Sequence, residues 1–227
     1  MKTKDKAILD ILIDFADLST IVFQQIKHID SLLSNNILEE DKMEIFSIIE
    51  KNEERIDMYE KEMNEKIINT IVLYHPLAGE LRRLISYIRM VSNLERIGDL
   101  SLNIAYFIDK IDNANILKSF YSTLKKMIEI TSDMTQKALA SFTCEDIDLA
   151  HRIIEADSKI DKMHEFLTNS LLDEKIIEKN EDISSINSLI CINNISSNLE
   201  RIADNATNIA EAAIYMLDGE DVRHKNN

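Results

Sequence analysis

The chain has 227 residues, 41 acids against 26 lysines and arginines, a net charge of −15 and a pI near 4.8. Its 45% hydrophobic content suffices for a core, yet three glycines and one proline leave almost none of the turn residues that a sheet protein needs. All-β and doubly wound α/β folds are thereby excluded, and the positive charges are too scattered among acids for nucleic-acid binding.

Apolar residues recur every three or four positions nearly throughout, the period of an amphipathic helix. A first helix is predicted from about Asp5 to Ser34, ending in Ser34-Asn35-Asn36, and a second from about Glu39 to Tyr74. Pro76 is expected in the first turn of the third helix, where a missing N–H costs nothing, and that helix runs to about Asp112. Asn113-Ala114-Asn115 marks the next break. A fourth helix extends to about Ser141, a fifth from about Glu145 to Asn180, and a sixth from about Asp182 to Leu217, with Gly219 as terminator. Helices of some 30 residues are about 45 Å long and, joined by short turns, pack as antiparallel bundles.

Cys144 and Cys191 lie far apart with no metal-ligand spacing, so both are read as buried, reduced thiols. The apolar runs are too short for a membrane span, and the N-terminus carries acids through its apolar stretch, unlike a signal peptide. A cytoplasmic protein is expected.

Residues 92–105 read SNLERIGDLSLNIA and residues 197–210 read SNLERIADNATNIA, identical at ten of fourteen positions with an offset of 105. Upstream, Glu53-x-x-Ile56-Asp57 matches Asp157-x-x-Ile160-Asp161 at an offset of 104. The economical description is an all-α protein of two pseudo-symmetric three-helix bundles, residues 1–113 and 114–227, with Gly98 or Ala203 permitting close helix approach.

Each copy carries two acid-x-x-x-acid pairs: Glu53/Asp57 and Glu95/Asp99, then Asp157/Asp161 and Glu200/Asp204. Positions four apart stack on one helix face, so each pair sets two carboxylates side by side, a repulsion of a few tenths of a kcal/mol unless a cation bridges them. Oxygen-rich groups of this kind suit Mg, Mn, Ca or iron. Accidental pairs are common in so acidic a chain, as Asp10/Asp14, Glu40/Glu44 and Glu174/Glu178 illustrate, but only the four recur in both halves. At 100° per residue they project away from the stripe of Leu94, Ile97, Ile104 and Ile108, which predicts open sites on an outer face or in an interhelical groove.

Arg96 and Arg201 are candidates for neutralising neighbouring acids, Asn103 and Asn208 for amide-oxygen ligands, and His164 for an extra ligand or a solvated histidine. No Glu-x-x-His di-iron signature, Gly-rich phosphate loop, nucleophile elbow or arginine cluster for clamping phosphate is evident. A non-enzymatic binding protein is therefore favoured, with a metal-dependent hydrolase of phosphate compounds as the alternative.

His75-Pro76-Leu77-Ala78-Gly79-Glu80-Leu81-Arg82-Arg83, Asn93-Leu94-Glu95-Arg96-Ile97-Gly98-Asp99 and Leu199-Glu200-Arg201-Ile202-Ala203-Asp204-Asn205-Ala206-Thr207-Asn208-Ile209-Ala210-Glu211 resemble the PhoU family of phosphate-transport regulators. The likeness covers essentially the whole chain. It departs from the family pattern at His75 for glutamine, Glu80 for aspartate, and Ala203 and Asn205 for the glycine and histidine of the second motif. The resemblance implies surface metal clusters of Fe, Mn or Mg on the acid pairs, with Arg82 as an auxiliary residue. It further implies a cytoplasmic homodimer that negatively controls phosphate uptake and phosphate-starvation signalling. Its partners would be the phosphate ABC transporter ATPase and a sensor histidine kinase, through which alone it would meet the membrane.

Overall fold

The computed structural model describes residues 3–34, 38–173, 182–219 and 222. Among these, six helices follow one another: α1 (Thr3–Leu32), α2 (Glu39–Tyr74), α3 (Gly79–Asp109), α4 (Ala114–Thr143), α5 (Ile147–Leu171) and α6 (Ile183–Asp218). The fold is all-α, as the scarcity of glycine and proline requires.

Helices α1, α2 and α3 pack on one another, as do α4, α5 and α6, giving two three-helix bundles. The most extensive contact joins the bundles instead, α3 lying along α6, with α1 also touching α4. Small buried residues lie along both helices: Ser101 and Ala105 on α3, and Ala206, Ala210 and Ala213 on α6. One continuous apolar core therefore runs through both bundles, from Ile11 and Ile26 to Ile160 and Ile209. Its junction holds the rings of Phe15, Tyr87 and Phe142, Tyr87 edge-on to both phenylalanines and the phenylalanines tilted to each other, with centroids 4.9–5.4 Å apart.

The helix ends are fixed locally. The Asn113 side chain accepts from the amides of Asn115 and Ile116, Asp146 from Leu149, and Asp182 from Ser185, each satisfying donors that a helix start leaves open. Asn113 also donates to Ser185 Oγ at 2.9 Å, tying the α3–α4 turn to the start of α6. Gly219, at φ 75°, closes α6, and the Arg82 guanidinium lies against the space that a Cβ there would take.

Several boundaries differ from the sequence reading. Pro76 does not start α3: it is buried in the α2–α3 link, His75 takes the left-handed cap of α2 at φ 43°, and α3 begins at Gly79. Proline fits a first turn but also follows a left-handed helix cap, and here the second preference prevails. Helix α5 ends at Leu171, so the expected continuation to Asn180 fails at its start and otherwise falls on residues 174–181, outside those described, as does the Glu174/Glu178 pair. Asn35 and Asn36 are likewise outside. Of the two thiols only Cys191 is buried; Cys144 is exposed at the cap of α4.

A candidate metal centre in each half

The paired helices α2–α3 and α5–α6 each bring together four of the eight acids. Glu53 and Asp57 on α2 face Glu95 and Asp99 on α3, while Asp157 and Asp161 on α5 face Glu200 and Asp204 on α6. In the second half, carboxylate oxygens of Asp157, Asp161 and Asp204 all lie within 4.8 Å of one another.

Burial is graded within each group: the acids lie in interhelical grooves, one of the two placements expected, but the floor is closed where an open site was expected. Glu53 is only 7% exposed; Glu95, Asp157 and Glu200 are half-buried; Asp57, Asp99, Asp161 and Asp204 are exposed. The groups are grooves between helices, closed at the floor and open at the rim. The stripe of one helix located its own core side but not the wall that the neighbouring helix adds.

Gly98 makes the first floor possible. A Cβ there would stand 2.8 Å from Ile56 Cδ1 and 3.0 Å from Glu53 Oε2. The second half has Ala203 at this position and the shorter Asp157 in place of Glu53. Carbon removed from one wall is thus restored on the other.

The electrostatics are those of carboxylates without counter-charge. Both oxygens of Glu53 and Oδ1 of Asp157 are buried with no hydrogen-bond partner. Among the described residues, none of the eight acids forms an ion pair with a lysine or arginine. Burial, then Asp99, Asp57 and Glu95, pushes Glu53 up to about 8. Burial, then Asp99, Glu60 and Asp57, raises Glu95 to about 7, against a lowering by Arg96. Burial with Asp204 and Asp161 raises Asp157 to about 6, while the Thr207 hydroxyl opposes the rise. Glu200 and Asp204 move upward too, from burial and neighbouring acids, with Arg201 opposing.

A buried, unpaired carboxylate costs several kcal/mol and must gain a proton or a cation. The donor set, all carboxylate oxygen, is that of hard cations, so the residues present fit a metal.

The other candidates are placed elsewhere. Arg96 and Arg201 are exposed and act on the acids only through their charge. Arg82 lies against Gly219. Asn103 is exposed on α3, and Asn208 lines a groove between α3 and α6. His164 Nδ1 is 2.9 Å from Ser196 Oγ, an α5–α6 bond. The sequence reading missed Glu60 and Thr207. Glu60 had a signal: it extends Glu53-x-x-x-Asp57 by three, and its counterpart at the offset of 104 is His164.

The PhoU domain family matches residues 16–108 and 124–213, one stretch in each bundle. A relative from Thermotoga maritima, the phosphate-specific transport system accessory protein PhoU homolog 1, is 32% identical over 200 residues, covering 88% of this chain and 79% of the relative. A PhoU homolog from Aquifex aeolicus is 33% identical over 189 residues, 83% of each chain. Crystal structures of PhoU from Pseudomonas aeruginosa and from Streptococcus pneumoniae superpose with TM-scores of 0.77 and 0.79 at 24% identity, covering 95% and 97% of this chain and 99% of each of those, a likeness of fold. With its two halves matched separately and its bundles superposing along nearly their whole length, this chain belongs to the PhoU family.

Proposed function

We infer that this protein is a non-enzymatic, metal-binding regulator of phosphate transport, a negative control on phosphate uptake and phosphate-starvation signalling. Relatives named as accessory proteins of the phosphate-specific transport system support the transport role. The observation that carries the metal reading is Glu53, both oxygens buried and unpartnered among three more carboxylates. Glu53, Asp57, Glu95 and Asp99 would hold one group of Fe, Mn or Mg, and Asp157, Asp161, Glu200 and Asp204 a second. A bound cation supplies the positive charge that these grooves lack. The rim acids Asp57, Asp99, Asp161 and Asp204 stay at the surface, so occupancy alters what the outer face presents to a partner. The partners proposed are the transporter ATPase and a sensor histidine kinase, met in the cytoplasm by a homodimer. Among the described residues no helix is long and apolar enough to cross a membrane.

The non-enzymatic reading is favoured over the hydrolase because His164, the histidine nearest these acids in sequence, is engaged by Ser196, and among the described residues no arginine pairs with the acids. Affinity for the transporter ATPase, measured with chelator-treated and metal-loaded protein, tests the proposal. Loading should change that affinity in the parent chain and leave Glu53→Gln/Asp157→Asn unchanged. Equal affinity with and without metal would discard the mechanism, and turnover of a phosphomonoester or polyphosphate would favour the hydrolase.

A further inference from the structure

A cavity of about 430 Å³ opens at the junction of the two bundles, within the size range of small-molecule sites. Its wall is mostly apolar: Leu12 and Phe15 come from α1, Leu139 and Phe142 from α4, and Met216 from α6. None of the eight acids of the carboxylate grooves lines it.

Tyr87 of α3 completes the wall and is only 1% exposed. A buried phenol ordinarily finds a hydrogen-bond partner, yet among the described residues the Tyr87 hydroxyl has none. Arg83 and Glu145, which also line the cavity, are the charges that act on this hydroxyl, so it is turned toward them. Burial pushes it up to about 12, and it therefore stays protonated and able to donate.

Arg83 and Glu145 form the mouth. Arg83 Nη2 pairs with Glu145 Oε1, and the two side chains are 42% and 51% exposed. Neither side chain makes another hydrogen bond or ion pair among the described residues. A guanidinium has five donors and a carboxylate about four lone-pair directions, so each keeps capacity beyond this pair. Glu145 stands at φ 55° in the turn that ends α4, where Asp146 N donates back to Ser141 O at 2.8 Å. Glycine is the usual residue in such a turn; glutamate instead supplies the anionic half of the mouth.

An apolar wall below adjacent positive and negative charges selects for one kind of ligand. A molecule with a single charge leaves one of the pair facing a like charge or nothing, whereas a zwitterion engages both. We propose that this cavity binds a free α-amino acid with an apolar side chain, of the leucine, methionine or phenylalanine kind. Arg83 and the Tyr87 hydroxyl donate to its carboxylate, Glu145 accepts from its ammonium, and the side chain fills the space between Phe15, Leu139 and Met216. The site stands whether or not the carboxylate grooves hold cations.

The test is isothermal titration of the full chain with L-leucine, L-methionine and L-phenylalanine. The comparators are 3-phenylpropionate, which lacks the ammonium, phenethylamine, which lacks the carboxylate, and L-serine, which lacks the apolar body. The expected result is saturable binding of one apolar amino acid per chain, the tightest of the three naming the side chain, with every comparator at least tenfold weaker. Arg83→Gln and Glu145→Gln, with helicity checked by circular dichroism, should each weaken amino-acid binding at least tenfold. Glu145→Gln should also narrow the gap between L-phenylalanine and 3-phenylpropionate, a change that misfolding cannot produce. Absence of saturable binding of all three amino acids, or unchanged affinity in both variants, would overturn the proposal; so would either singly charged analogue binding as tightly as L-phenylalanine.

Discussion

Replacing Glu53 by glutamine removes one charge from the floor of the first groove and keeps the shape of the side chain. In the chelator-treated protein the folded state holds the Glu53 proton up to about pH 8, whereas an unperturbed glutamate releases it near 4.5. A raised carboxyl value means that the folded chain binds more protons than the unfolded chain between those limits. Stability is therefore greatest below about pH 4.5 on this group's account and falls as pH rises toward 8. At 1.36 kcal/mol for each pH unit, the nominal loss is about 3 kcal/mol at pH 7. Asp99, Asp57 and Glu95 share the effect, and the glutamine amide must find partners of its own, so the substitution should recover about 2 kcal/mol at pH 7.5 and almost nothing at pH 4.5. Urea unfolding followed by circular dichroism at pH 4.5, 6, 7.5 and 8.5 measures this directly. A variant destabilised equally at every pH, or a parent chain growing more stable from pH 5 to 8, would refute the reasoning.

Gly98→Ala should destabilise the metal-free protein by about 1 kcal/mol, because the clash with Ile56 and Glu53 outweighs the gain in helix propensity. Adding Glu53→Asp copies the residue pair that the repeat has in the second half, Asp157 with Ala203, and a double-mutant cycle should show favourable coupling of about 1 kcal/mol. Asp204→Asn should lower the Asp157 carboxyl from about 6 toward its ordinary range, read by NMR titration, since Asp204 is the acid that raises it most. Gly219→Ala should cost about 1–2 kcal/mol in thermal unfolding, as φ 75° and the Arg82 guanidinium both oppose a Cβ.

Periodicity and the scarcity of Gly and Pro made the helical fold legible, because a 3.6-residue repeat sustained over thirty residues has one structural solution. The carboxylate pairs were legible through duplication, which separated Glu95/Asp99 from accidental pairs such as Asp10/Asp14. The depth of Glu53 was not. Its own helix places it beside the stripe of Ile49, Ile56 and Met63, but the wall that buries it comes from α3 and depends on Gly98 having no side chain. Pro76 was misplaced because proline serves two positions, inside a helix start or after a helix end, and the left-handed cap at His75 decides between them only in three dimensions. Glu53 with Gly98 and Asp157 with Ala203 form a compensated exchange that the aligned repeats already contain, although its meaning required knowing that the side chains touch.

The central claim is that the two carboxylate grooves hold cations. Calorimetric titration of Mn(II) or Fe(II) into the chelator-treated chain, side by side with Glu53→Gln/Asp99→Asn and Asp157→Asn/Asp204→Asn, tests it most directly. Saturable uptake by the parent chain, with each double variant losing one group of sites and both together losing all, is the predicted result, accompanied by about 2.7 kcal/mol of added stability at a hundredfold excess over Kd. Uptake that is absent, or that persists unchanged in the combined variant, would contradict it.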